Sequence, residues 1–237
     1  MVSPPPRRAP QSRTERQRET REALILAALD AFSRDGYHAT SLEGIAHAAG
    51  FSKGAVYSNF RGKSDLFLAL MDFNQEVLRD ADWDPFSADE TDDADDAEPK
   101  TPGGRGAEEM VRGFGLATLE FISTAARDEK LVVALRERMQ VMIDAYGRVV
   151  AETRPDDEVL PADDVARLMA AVDQGVSVLA LSGVASMDPA VIRAGLRRRG
   201  DPASAAGDPP PRRSVRPTSL PYVNQVRRLL QADDSDG

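Results

Sequence analysis

The sequence predicts an all-α protein. Wherever apolar residues are ordered, they recur at spacings of three and four, the period of a helix with one buried face. No run alternates with period two for long enough to make a sheet. The nearest candidate, 176–185, continues a helical stripe that starts at Val165. Within 41–60, two short helical patterns flank Gly50, the layout of a helix-turn-helix.

Residues 1–13 are rich in Pro and Arg without periodicity and are expected to form a disordered basic arm. From Thr14, the residues Leu24, Ile25, Ala28, Leu29 and Phe32 mark the first helix, which Asp35-Gly36 should end. Thr40 and Glu43, three apart, are expected to open the second as a capping box, and Ala49-Gly50 closes it. Ser52 starts a third helix carrying Val56, Tyr57 and Phe60, broken at Arg61-Gly62. Ser64 is expected to cap a fourth, containing Leu66, Phe67, Leu70, Met71, Phe73 and Leu78. These four helices make up a unit of 14–80.

Residues 80–98 hold ten acidic residues and no basic one, and Pro and Gly follow. Such a stretch buries too little apolar surface to offset its ordering entropy, so 84–106 reads as a linker. Helical spacing returns over 107–126, from Leu131 to Glu152, from Val165 to Leu181 and over 190–199. Residues 200–221 contain six Pro and read as irregular, and Tyr222–Gln231 as a last short helix. A second helical unit is thus expected over 107–232.

The chain has 237 residues, enough for one or two domains with a real core. It has no cysteine, which removes disulfides, thiol nucleophiles and cysteine metal sites. With two histidines, His38 and His47, no metal site and no cofactor are expected. No stretch of 18 consecutive apolar residues occurs and no apolar run follows the N-terminus, so neither a membrane span nor a secretory signal is expected, and the cytoplasm is the expected location. Net charge is −9, but residues 1–63 carry ten Lys/Arg against six Asp/Glu. A basic head on an acidic body suits nucleic acid at one end only. Enzymatic motifs fail: Gly62-Lys63-Ser64 ends like a phosphate loop, yet Tyr57 stands where its first glycine belongs. No Gly-x-Ser-x-Gly and no His-Glu-x-x-His occurs, so no catalytic residue is assigned.

The segment SLEGIAHAAGFSKGAVYSNF, 41–60, meets the demands of a helix-turn-helix one by one. Ala46 is small where the second helix must cross. Gly50 can take a turn conformation costly for other residues. Ile45, Val56 and Phe60 supply apolar contacts. The second helix then exposes Ser52, Lys53, Ala55, Tyr57, Ser58 and Asn59, a mix of cation, hydroxyls and amide suited to phosphates and major-groove base edges.

Gly36-Tyr37, Thr40-Ser41-Leu42, Ile45-Ala46, Ala49-Gly50, Ser52-Lys53-Gly54, Val56-Tyr57, Phe60, Lys63 and Leu66, in this order, resemble the N-terminal domain of the TetR/AcrR family of bacterial transcriptional regulators. The resemblance covers about 18–78. It implies a three-helix DNA-binding domain followed by a divergent helical domain that binds a small molecule and forms a homodimer. The implied partner is double-stranded DNA, and the implied action is that of a repressor released from a palindromic operator by the ligand. By position, the implied DNA contacts are Thr40, Ser41, Ser52, Lys53, Gly54, Ala55, Tyr57, Ser58, Asn59 and Lys63. Lys53 would meet a base edge or phosphate, Gly54 would allow close approach, and the Tyr57 hydroxyl, Thr40, Ser41 and Lys63 would meet phosphates. A ligand-independent DNA-organising or protein-recruiting factor using the same head is the alternative.

Three features depart from the family. Gly44 lies inside the second helix, the acidic linker is long, and 200–221 interrupts the last helices. Candidate ligand residues are the apolar Phe114, Phe121, Met142 and Tyr146 and the polar Thr118, Asp173 and Ser177. Rings and thioethers suit a lipophilic pocket, and Asp173, if buried, needs a partner such as a cationic ligand.

Overall fold

The computed structural model describes residues 12–79, 106–153, 159–183, 188–200, 205–207 and 210. The expected arm (1–11), most of the acidic linker, most of 200–221 and the helix expected at Tyr222–Gln231 lie outside the described residues. Among the described residues the architecture is helical without a strand, as expected. The helices are α1 Arg13–Ala39, α2 Leu42–Ala48, α3 Lys53–Asn59, α4 Lys63–Asn74, α5 Ala107–Ala125, α6 Glu129–Thr153, α7 Ala162–Ser182 and α8 Pro189–Gly200.

Capping corrects several expected boundaries. The capping box lies at Ser12, not Thr40: Ser12 Oγ accepts the Glu15 N–H at 3.1 Å, and Glu15 accepts the Ser12 N–H at 2.6 Å. Ser12 and Arg13 therefore belong to α1 and not to the arm. Gly36 breaks α1 without ending it. With φ 78° it leaves the helical region, and helical turns resume through Ala39. The break folds Thr40 inward, where its hydroxyl donates to the carbonyls of Gly36 (2.7 Å) and Ala31 (3.2 Å). Ser41 is left to cap α2 by accepting the Gly44 N–H at 3.1 Å. Gly62, not Ser64, precedes α4, and the Ser64 hydroxyl meets that of Tyr37 at 2.9 Å. α4 stops at Asn74, so Leu78 falls in the separate 3-10 turn Glu76–Arg79.

Two cores form. The first joins Leu24, Phe32, Ile45, Val56, Phe60 and Phe67 of the first four helices and their flanks to Met110, Ala117, Phe121 and Ala125 of α5. The Phe67 ring is its hub, with centroids 4.9 Å from Phe32, 5.2 Å from Tyr37 and 4.7 Å from Phe121. α5 crosses α1 backbone to backbone: a Cβ on Gly113 would stand 2.0 Å from the Ser33 carbonyl oxygen. The second core joins Met142, Tyr146 and Val150 of α6 to Val165 and Met169 of α7 and Leu196 of α8. Arg138 of α6 ties the two together, donating to the Leu68 carbonyl (3.2 Å) and pairing with Asp72 (2.5 Å) on α4.

α7 is long and apolar enough, by length and composition alone, to cross a membrane, although polar residues interrupt its apolar run. It packs along α6 through Val165, Ala166, Met169 and Ala170, and it carries Asp163, Asp164, Arg167 and Asp173. Its apolar content thus includes one buried stripe of the second core.

Candidate nucleic-acid interface

α2 and α3 have seven residues each, too few to be stable alone, so the surroundings must hold them. Ile45, Ala46 and Val56 are buried between them, as the spacing requires. The turn is closed by the Phe51 N–H donating to the Ala46 carbonyl at 2.8 Å. Gly50 has φ 73° and open space around it, so its backbone conformation, not crowding, demands glycine. Ser52 caps α3, accepting the Ala55 N–H at 3.3 Å. At the other end Arg21 of α1 donates to the Asn59 carbonyl at 3.0 Å, and its guanidinium lies 4.4 Å from the Phe60 ring centroid. A cation on the last carbonyls of a helix complements its dipole. Sequence reasoning missed Arg21. The available signal was its position on the apolar stripe, four residues before Ile25.

One surface gathers Ser41, Ser52, Lys53, Gly54, Tyr57 and Ser58, all exposed. Tyr57 is 49% exposed, so it is not a core residue. Lys53 sits over its ring at 5.7 Å and pairs with Glu43 of α2 at 2.5 Å. That hydrogen bond raises the Lys53 pKa and lowers that of Glu43. Glu43 was read as a capping residue and instead orients the cation. A Cβ on Gly54 would meet only Ser52 Oγ, at 3.7 Å, so the fold itself does not require glycine there. Ala55 and Asn59 lie half-buried at the margin, with the Asn59 amide donating to the Ala55 carbonyl at 2.8 Å.

Two of the expected contacts have partners within the fold. Thr40 is buried, its hydroxyl committed to carbonyls beside the Gly36 break. Lys63 turns inward: Nζ donates to the carbonyls of His38 and Thr40, each at 3.0 Å, and lies 4.8 Å from the Tyr37 ring centroid. Burial lowers its pKa, against the opposing charge of Glu120.

The seven ligand-site candidates do not converge. Phe121 is buried in the first core and Phe114 packs against it, while the Thr118 hydroxyl donates to the Phe114 carbonyl at 2.9 Å. Met142 and Tyr146 lie in the second core. Beside them the Gln174 amide nitrogen is 3.5 Å from both Met142 Sδ and Asp173 Oδ2, and the Ser177 hydroxyl donates to the Asp173 carbonyl at 3.0 Å. A cavity of about 230 Å³ lies between α7 and α8, lined by Leu168, Met169, Val172, Val176, Ile192 and Leu196 among others; none of the seven lines it. Among the described residues no group of three metal-ligating side chains forms.

Burial pushes the Asp173 carboxyl up to about 6, and burial together with the Asp173 charge raises the Tyr146 phenol. A carboxyl raised on folding weakens the fold as pH climbs from its ordinary value through 6, and the cost is complete above that. Asp173→Asn is therefore expected to stabilise the protein at pH 8 by up to about 3 kcal/mol and to lose that gain by about pH 4. Urea midpoints at the two pH values check this; an equal effect at both would mean that the carboxyl titrates normally.

Residues 24–70 match the family described as bacterial regulatory proteins, tetR family. The HTH-type transcriptional regulator AcrR of Shigella flexneri is 42% identical over 60 residues, a match spanning 25% of this chain and 28% of that protein. The uncharacterized HTH-type transcriptional regulator YfiR of Bacillus subtilis is 23% identical over 167 residues, 65% of this chain and 76% of its own. In fold, the chain is similar to a crystal structure from Rhodococcus sp. assigned to the TetR family of transcriptional regulators. That likeness has a TM-score of 0.54 at 18% identity and covers 76% of this chain and 95% of the other. The likeness in sequence is concentrated in the helices that build the exposed α3 surface: over this head the chain is similar to the tetR family of bacterial regulatory proteins, and there it spans less than a third of the length of relatives such as AcrR.

Proposed function

We propose that the protein is a sequence-specific DNA-binding regulator of transcription that acts in the cytoplasm as a homodimer. The observation that carries this reading is the exposed face of α3, where Lys53, Gly54, Tyr57 and Ser58 project from a helix held at both ends. Ser41 and Ser52, at the N-termini of α2 and α3, add hydroxyls suited to phosphate oxygens. Dimerisation is supported by α7, where Leu168, Val172 and Leu179 stay exposed. A second copy seated there would cover them. Two heads one helical turn apart, about 34 Å, would read a palindrome. The simplest action of such a dimer on a promoter is to exclude polymerase, which is repression. Release by a small lipophilic ligand fits the apolar body, since a ligand favouring one head spacing would shift DNA affinity by a coupling of about 1–3 kcal/mol.

The experiment is selection of duplexes from a random library by the purified chain, followed by fluorescence anisotropy against a scrambled duplex. A palindromic site bound by two chains is expected. Enrichment of no site, or one chain per site, would overturn the reading. Lys53→Ala should weaken the selected site by about 1–3 kcal/mol while leaving the melting temperature unchanged. An unchanged affinity would remove Lys53 from the interface.

A further inference from the structure

The end of α1 past the Gly36 break, through Thr40, is held by two elements outside the helix-turn-helix. Glu120 of α5 accepts the His38 backbone N–H at 3.0 Å. The same carboxylate lies against Gly36, with Oε1 2.7 Å from where a Cβ would stand. Lys63 at the start of α4 donates to the His38 and Thr40 carbonyls. A broken helix leaves both kinds of backbone group without partners. Here an anion takes the N–H and a cation takes the carbonyls.

This grip has a mechanical consequence. Only four residues separate Gly36 from Ser41, the cap of α2. The direction in which the chain leaves the break therefore sets where the helix-turn-helix begins. α5 lies directly on α1, with the Gly113 backbone against the Ser33 carbonyl. Glu120 thus reports the attitude of α5 to the break.

We propose that Glu120 is a positioning residue for DNA binding: by holding the His38 N–H from α5, it sets the angle at which α1 hands the chain to the helix-turn-helix. Displacement of α5 is then felt at the DNA-reading helix without passing through the 80–105 segment. The role rests on the DNA-binding reading above.

The test uses the full chain with Glu120→Ala and Glu120→Gln. Amide hydrogen exchange at His38 is read beside anisotropy on the selected and scrambled duplexes. In Glu120→Ala, exchange at His38 should rise about tenfold with the amides of Leu24–Phe32 unchanged, and affinity for the selected duplex should fall about tenfold with scrambled binding unchanged. Glu120→Gln keeps an acceptor oxygen and should restore most of both. If the Ala variant does not fold, Glu120→Asp, one methylene short of His38, takes its place with the same expectations. A wild type that discriminates between duplexes, with an Ala variant that binds equally well, overturns this proposal alone. So does a Gln variant as impaired as Ala. A wild type that does not discriminate overturns the DNA-binding reading and this role with it, whatever the exchange shows.

Discussion

Gly113→Ala is expected to destabilise the protein by about 3 kcal/mol, near the upper end of overpacking costs, and to lower its melting temperature by about 6–12 °C. The added methyl carbon would stand 2.0 Å from the Ser33 carbonyl oxygen and 2.7 Å from its carbon. These are backbone atoms inside α1, so no side-chain rotation relieves the clash. α5 must lift away, and with it Met110, Ala117 and Phe121 leave the first core. The control is Gly147→Ala in α6, where the new carbon would meet only the Ala166 Cβ at 3.9 Å. There the better helix propensity of Ala should stabilise by up to about 1 kcal/mol. Opposite signs for one substitution in two helix interiors isolate the crossing as the cause. Thermal melts that place both variants on the same side of wild type would mean that α5 does not cross α1 at Gly113.

Phe67→Ala is expected to cost about 3–5 kcal/mol. Its ring contacts aromatic rings from α1 (Phe32 and Tyr37) and α5 (Phe114 and Phe121). No neighbour can collapse into the space, because the rings are fixed in pairs by two helices, α1 and α5. Edge-to-face pairs add to the transfer cost. Urea unfolding followed at the head and at α5 should lose its midpoint together, because both share this core. A cost below about 1 kcal/mol, or a transition confined to α5, would show that the rings do not form one cluster.

The helices were legible because burial of one face imposes a 3.6-residue period on the sequence. Leu24, Ala28 and Phe32 repeat at that period, and each is fully buried. Gly50 was legible because few residues tolerate its conformation. What the period does not state is the partner of a stripe. The stripe of α5 reads as that of any amphipathic helix, so only the fold shows that Phe121 joins the core of the first four helices. Local chemistry was ambiguous at Thr40-Ser41, two adjacent hydroxyls that could both cap. The break at Gly36, not their chemistry, buries one and exposes the other. The partners of Lys63 were illegible for a related reason. A cation at a helix start reads as a surface group, and the carbonyls of His38 and Thr40 that it serves lie more than twenty residues earlier.

The division of labour within α3 has a consequence for how such a protein can change. Of its seven residues only Val56 is buried, and the helix is fixed by Ser52, Arg21 and the turn at Gly50. The side chains that face outward at 53, 57 and 58, and the bare backbone at Gly54, contribute little to stability. A lineage can therefore exchange them, one at a time, while the scaffold keeps folding. New recognition sequences are within reach of surface drift, and the residues that hold the helix are the ones selection must guard.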